Sequence, residues 1–277
     1  SNTPHNLRDY LNNSKTKSGE NFDYNDESFS VTSSNNAVLR YDKPYLKFDG
    51  TAGEATITLT QKENNQYEAT TFSHTFIVAR RDQYGTILIK DAAEWKLFCK
   101  IVNEKGRTKL NAKLEADINL GGDIAMAGTT DHKYAGTFDG QGHTLRFYWN
   151  ANTSNIAPFK RVKGATIKNL RTEGSIQSSS IYIGGLIDEA YGENTVTGCV
   201  SAVNITSTYS ANRCGAGGLI SYIGSNARVT INDCLVKGAI NATDAGRTGM
   251  GGFVCYQYGT CTLNTCLYAG TNNGSNE

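Results

Sequence analysis

The chain has 277 residues, with 27 Lys+Arg against 26 Asp+Glu, 7 Cys, 29 Gly and 3 Pro. A net charge of +1 gives no reason to expect nucleic acid or an anionic membrane as partner. No apolar run approaches the ~18 residues of a membrane-crossing helix, and 27 Asn with 30 Thr suit short strands and tight turns rather than a helical bundle.

Residues 1–20 read as a polar leader, starting Ser1-Asn2 as a processed or tagged terminus would. One helical hint lies there, with Leu7, Tyr10 and Leu11 on a shared face. Residues 21–82 read as a small β-sandwich. Apolar and polar residues alternate in Phe29–Thr32, Tyr45–Phe48, Ala55–Thr60 and Thr75–Val78, so one face of each strand packs and the other is wet. Turn residues break the pattern at Ser33–Asn36, Asp49-Gly50 and Asn64-Asn65. The run Gly53-Glu54-Ala55-Thr56-Ile57-Thr58, followed by Asn64-Asn65-Gln66-Tyr67, resembles bacterial immunoglobulin-like surface modules. That resemblance implies a first strand near Asn21–Asp26.

Residues 83–270 read as a second domain. Thr86–Ile89 is expected to be a strand. Asp91 then stands as an N-cap with Glu94 at capping-box spacing. Trp95, Phe98, Cys99 and Val102 fall at i, i+3, i+4 and i+7, one apolar stripe on a helix of three turns. Gly106 supplies a left-handed C-cap. The expected role of this helix is to plug the open end of a strand stack, whose unpaired edges would otherwise be a template for aggregation.

Beyond residue 114 the sequence repeats. Ile183-Gly184-Gly185-Leu186-Ile187, Ala216-Gly217-Gly218-Leu219-Ile220 and Met250-Gly251-Gly252-Phe253-Val254 align at spacings of 33 and 34 residues, with Ala157-Pro158-Phe159 as a degenerate earlier copy. A second strand aligns alongside, ending in Leu170, Cys199, Cys234 and Cys266. One such unit cannot bury its own apolar face, so units must stack. Short strands at this period, with no helix between, predict a parallel β-helix. Its handedness is expected to be right-handed, as for parallel crossovers generally. The repeats over 157–270 amount to about four coils, and 271–277 reads as a polar tail. The segments Leu114-x-x-Asp117-Ile118-Asn119-Leu120 and Gly136-Thr137-Phe138-Asp139-Gly140-Gln141-Gly142-His143, with the Gly-Gly-Leu repeats, resemble the GLUG-type repeats of cell-surface proteins from Bacteroidetes. The upstream Trp95 and Phe98 match that family's helix. The resemblance implies an extracellular or outer-surface location.

Candidate chemistry is sparse. Asp139 and His143 invite a catalytic reading, but the flanking glycines favour a turn. No acids stack at equivalent repeat positions, so the carboxylate pair of glycoside hydrolysis is not visible. No catalytic residue, metal site or cofactor is therefore expected. The three repeat-position cysteines are expected as buried thiols in a core ladder, and Cys255 with Cys261 is left open as a disulfide. One binding hint remains. Tyr222 aligns with Glu189 and Tyr256, and Tyr191 with Tyr258, which would form an aromatic strip on the flank suited to sugar rings. Trp149 is a further candidate. The expected function is a non-catalytic, adhesin-like module, monomeric, binding glycan or host matrix protein. The alternatives are a polysaccharide lyase or hydrolase on a β-helix, and a purely structural stalk.

Overall fold

The computed structural model describes residues 5–6, 29–65, 68–152, 155–179, 181–208, 215–242 and 249–273. The chain forms two compact units, Ser1–Arg80 and Arg81–Glu277. The helical hint at Leu7–Leu11 and the strand expected at Asn21–Asp26 lie outside the described residues, as does Tyr67.

The first unit is all antiparallel. Gly53–Gln61 lies between Phe29–Ser33 and Thr70–Val78 in one three-stranded sheet. Tyr45–Lys47 lies between His5–Asn6 and Arg40–Asp42 in another. His5–Asn6 thus belongs to a strand, although the leader was expected to be loose. Alternation in Gly53–Gln61 sends Ala55, Ile57 and Leu59 inward, where they join Val38, Leu39 and Leu46 in one core.

The second unit is a parallel β-solenoid of about six turns. One long sheet stacks seven strands in a row, from Ile87–Ile89 to Thr260–Asn264. The stack is longer than the four coils expected, because the strands at Ile87–Ile89, Ala112–Leu114 and Thr137–Asp139 pair in it without carrying the Gly-Gly signature. The supposed tail also contributes, since Thr271–Asn272 pairs with Ala239–Ile240.

Two features set the repeat. The first is a left-handed residue at the corner after each of the last four strands of the long sheet: Asn169, Gly198, Asp233 and Thr265, with φ of 51°, 61°, 51° and 51°. The next residue then turns inward, giving the column Leu170, Cys199, Cys234, Cys266. Cys234 Sγ accepts from the Cys199 amide at 3.4 Å. Cys199 and Cys234 are buried thiols, and no disulfide joins Cys255 to Cys261. The second feature is the Gly-Gly pair. A Cβ on Gly217 would lie 1.8 Å from the Ile220 carbonyl oxygen, and one on Gly218 2.2 Å from the Gly252 carbonyl oxygen. The chain folds back so tightly there, and coils approach so closely, that only glycine fits.

The helix α1 spans Ala92–Lys105. Asp91 accepts from the Glu94 amide at 2.9 Å, and the Gly106 amide, in left-handed conformation, donates to Ile101 O. Trp95 and Phe98 pack edge-on or tilted against Phe138, Phe159 and Tyr134, with centroids 5.4–5.8 Å apart. These rings are almost wholly buried and form the aromatic core of the early coils. Trp149 belongs to the interior as well. It stacks on Phe147 at 4.3 Å and donates from Nε1 to Asp123 O. At 1% exposure it has no surface for a ligand, which corrects its candidacy as a binding residue.

Candidate functional site

Four in-register strands, Phe159–Lys163, Ile187–Tyr191, Ile220–Ile223 and Val254–Gln257, form one flank of the solenoid. In-register parallel strands align like positions into columns that share a face. Arg161 pairs with Glu189, Glu189 with Tyr222, and Tyr222 with Tyr256. Lys163 pairs with Tyr191, and one residue beyond the paired Ala190, Ile223 and Gln257 stand Tyr191, Gly224 and Tyr258. The tyrosine alignment read from the repeats is therefore the register observed.

The rings form a continuous cluster. Tyr222 lies 5.4 Å from Tyr182, 6.3 Å from Tyr191 and 5.4 Å from Tyr258 between centroids, and Tyr182 meets Tyr256 edge-on at 6.0 Å. Tyr258 is the most open of them, at 59% exposure. Glycines make room for two of the rings. A Cβ on Gly215 would come 2.6 Å from the Tyr182 ring, and one on Gly224 2.7 Å from the Tyr191 ring. Each ring therefore lies down over a bare backbone in the next coil.

Beneath the rings is a charged anchor. Glu189 accepts from Arg161 Nε at 2.7 Å and Nη2 at 3.2 Å, from Asn155 Nδ2 at 2.6 Å and from the Tyr191 hydroxyl at 2.8 Å. Burial works to raise the Glu189 carboxyl, but the Arg161 and Tyr191 hydrogen bonds outweigh it and hold the group below the usual carboxylate range. The Tyr191 phenol is pushed up, by burial first and then by its bond to Glu189. It stays protonated and fixed in orientation. Lys133 Nζ sits 5.3 Å from the Tyr191 ring centroid, within cation–π range.

Asp188 behaves differently from its neighbour. It is fully buried, and neither carboxyl oxygen makes a hydrogen bond of good geometry, Asn155 being committed to Glu189 and lending Asp188 only a weaker polar interaction. Burial pushes its carboxyl well above the usual range. In the next coil the same position is Ser221, whose Oγ donates to Gly215 O at 2.9 Å.

Asp139 and His143 do not converge. Asp139 accepts from the Gln141 amide at 2.9 Å and pairs with Lys168 at 3.0 Å, while His143 Nδ1 lies 3.4 Å from Asp117. Both hold turns. Among the described residues no group of three His, Cys, Asp or Glu side chains is placed to hold a metal ion, and no helix is long and apolar enough to cross a membrane.

Repeat alignment found Tyr191, Tyr222, Tyr256 and Tyr258. It missed Tyr182, Arg161, Asn155 and Lys133, and saw Glu189 only as a misfit in a tyrosine column. The available signal was the pair Gly215 and Gly224, small residues stacked against tyrosines of the preceding coil. No protein-family model matches the chain, and no curated protein matches it.

Proposed function

We propose that the solenoid is a non-catalytic sugar-binding module, using the tyrosine cluster of Tyr182, Tyr191, Tyr222, Tyr256 and Tyr258 to hold a glycan or a glycosylated matrix protein. The observation that carries this is the cluster itself. Five rings from three coils lie on one flank, held by a buried ion pair and by glycines that let them recline. Aromatic faces offer apolar area to sugar C–H groups, and phenol hydroxyls provide the polar rim. On this reading the chain is part of a secreted or cell-surface protein of GLUG type from Bacteroidetes, acting as a monomer. Its first unit is an immunoglobulin-like spacer, its solenoid is right-handed, and α1 closes the solenoid's first coil with Trp95 and Phe98.

A polysaccharide lyase or hydrolase is the second reading, favoured by Asp188 and Glu189. These neighbouring acids have proton affinities displaced in opposite directions, the pattern of an acid–base pair. Their burial, at 0% and 7% exposure, argues against contact with a glycosidic oxygen. A structural stalk would use neither feature.

A glycan array paired with a polysaccharide-degradation assay separates the three. Binding that is lost in Tyr222→Ala and Tyr258→Ala, without product release, is the expected result. Product release abolished by Glu189→Gln would instead establish the enzyme. Silence in both assays would leave the stalk.

A further inference from the structure

The aromatic strip has unlike ends. Toward later coils it is tyrosine alone. Toward earlier coils it runs into Lys163, in register with Tyr191 on the same face, and Lys133, whose ammonium approaches the Tyr191 ring. Lys160, beside them in the strand, lies close enough to Asp188 to act on its carboxyl. The charge balance at this end is one-sided. Arg161 is neutralised by Glu189 through two hydrogen bonds. Asp188 is wholly buried, and burial pushes its carboxyl well above the usual range. Glu193, just beyond Tyr191, stands opposite Arg228 in the next coil. Lys133 Nζ donates to Thr130 O at 2.5 Å, and among the described residues neither Lys133, Lys160 nor Lys163 is in an ion pair. Two ammonium groups, those of Lys133 and Lys163, thus stand beside Tyr191, in a chain whose overall net charge is only +1.

We infer that the ligand is an acidic glycan, with sugar rings lying on the tyrosines and its carboxylate or sulfate groups meeting Lys133 and Lys163. This rests on the sugar-binding reading and names the class of sugar. The anionic groups would be spaced along the polymer, while Lys133 and Lys163 sit beside Tyr191. The lysines therefore select by charge at one end of the strip, and the tyrosines Tyr222, Tyr256 and Tyr258 bind whatever sugar continues beyond.

The test uses the full chain and four polymers: polygalacturonate for carboxylates, chondroitin sulfate for sulfates, a neutral dextran, and polyglutamate as an anion without sugar. Affinities are measured by calorimetry at 50 and 300 mM salt. The wild type is expected to bind polygalacturonate or chondroitin sulfate about tenfold more tightly than dextran, with the preference shrinking at high salt as exposed charges are screened. The variant Lys133→Gln/Lys163→Gln should lose that preference. Whichever acidic polymer binds better identifies the anionic group. Equal affinity for dextran and both acidic polymers, or an unchanged preference in the lysine variant, would overturn the acidic-glycan inference while leaving sugar binding intact. Polyglutamate bound as tightly as the acidic glycans would overturn it too, because charge alone would suffice. Failure to bind any glycan, or binding indifferent to Tyr222→Ala, would overturn the sugar-binding reading itself.

Discussion

Arg161→Ala is the sharpest test of the anchor beneath the tyrosines. Glu189 accepts four hydrogen bonds, two of them from Arg161, and the two side chains are 9% and 16% exposed. Removing the guanidinium deletes half of the bonds and leaves a carboxylate in a poorly hydrated place. Breaking a buried pair from one side costs about 3–5 kcal/mol. Asn155 and Tyr191 remain and the pair lies near the surface, so the low end, about 3 kcal/mol, applies. For a unit near 200 residues, that corresponds to a melting temperature lower by about 6–12 °C. Adding Glu189→Gln removes the stranded charge, so the double variant should recover much of the loss. The sign of the pH dependence follows from the lowered Glu189 carboxyl. Its stabilising contribution is present above the unfolded value of about 4.3 and fades as pH falls through the folded one. The gap between wild type and Arg161→Ala should therefore narrow from pH 7 to pH 3.5. Thermal melts followed by near-ultraviolet circular dichroism, where tyrosines report, would measure it. A variant melting within 2 °C of wild type by this criterion, a gap unchanged with pH, or no recovery in the double variant would refute the reasoning.

Further outcomes follow from the same contacts. Asp188→Asn should stabilise the protein at pH 8 and do so less at pH 4. The buried carboxyl binds its proton more tightly when folded, so wild-type stability declines as pH rises above about 3.9; a less stable variant at pH 8 would contradict this. Gly224→Ala should cost about 1 kcal/mol, because the close contacts of its Cβ are with the Tyr191 ring and the Ala190 carbonyl oxygen lies at an ordinary 3.5 Å, yet weaken glycan binding. Gly217→Ala, whose Cβ meets backbone, should cost about 3 kcal/mol or more, and denaturant titrations of the two would separate them. Native maleimide labelling read by peptide mass should spare Cys99 and Cys199. Burial raises Cys99, while its bond to Cys234 and then burial raise Cys199. Cys261, pushed up to about 11 by burial, should react slowly, and Cys266 faster than Cys99 or Cys199. Equal rates at Cys199 and Cys266 would count against the ladder.

Much of this was legible because a solenoid writes its register into its sequence. Once the Gly-Gly pairs were aligned, Tyr222 with Tyr256 and Cys199 with Cys234 followed by counting. Coils without the signature fell outside the count of four for the same reason, although the β-helix was expected to begin near residue 83. The strands at Ala112–Leu114 and Thr137–Asp139 pair in the stack, but the Gly-Gly pair that aligns the later coils is missing from them. Trp149 was misjudged because its neighbour Tyr148 is the exposed one, and alternation alone does not say which face is inward. Glu189 and Arg161 were missed because alignment compares like with like. An ion pair between coils places unlike residues in one column. Asp188 escaped for a different reason, since a buried carboxyl with no hydrogen bond of good geometry is a cost that no pattern of spacing announces.

The tyrosine cluster ties successive coils together: Tyr191, Tyr222 and Tyr258 come from three neighbouring coils whose flank strands pair in register. In a stack where each coil touches mainly its neighbours, opening proceeds in local, coil-sized steps. A glycan lying across Tyr191, Tyr222 and Tyr258 would bridge three such steps, so binding and local opening compete for the same residues. Saturating ligand should slow amide exchange across Ile187–Tyr191, Ile220–Ile223 and Val254–Gln257 together, and any variant that loosens one of these coils should weaken binding in proportion to the fraction of molecules open there.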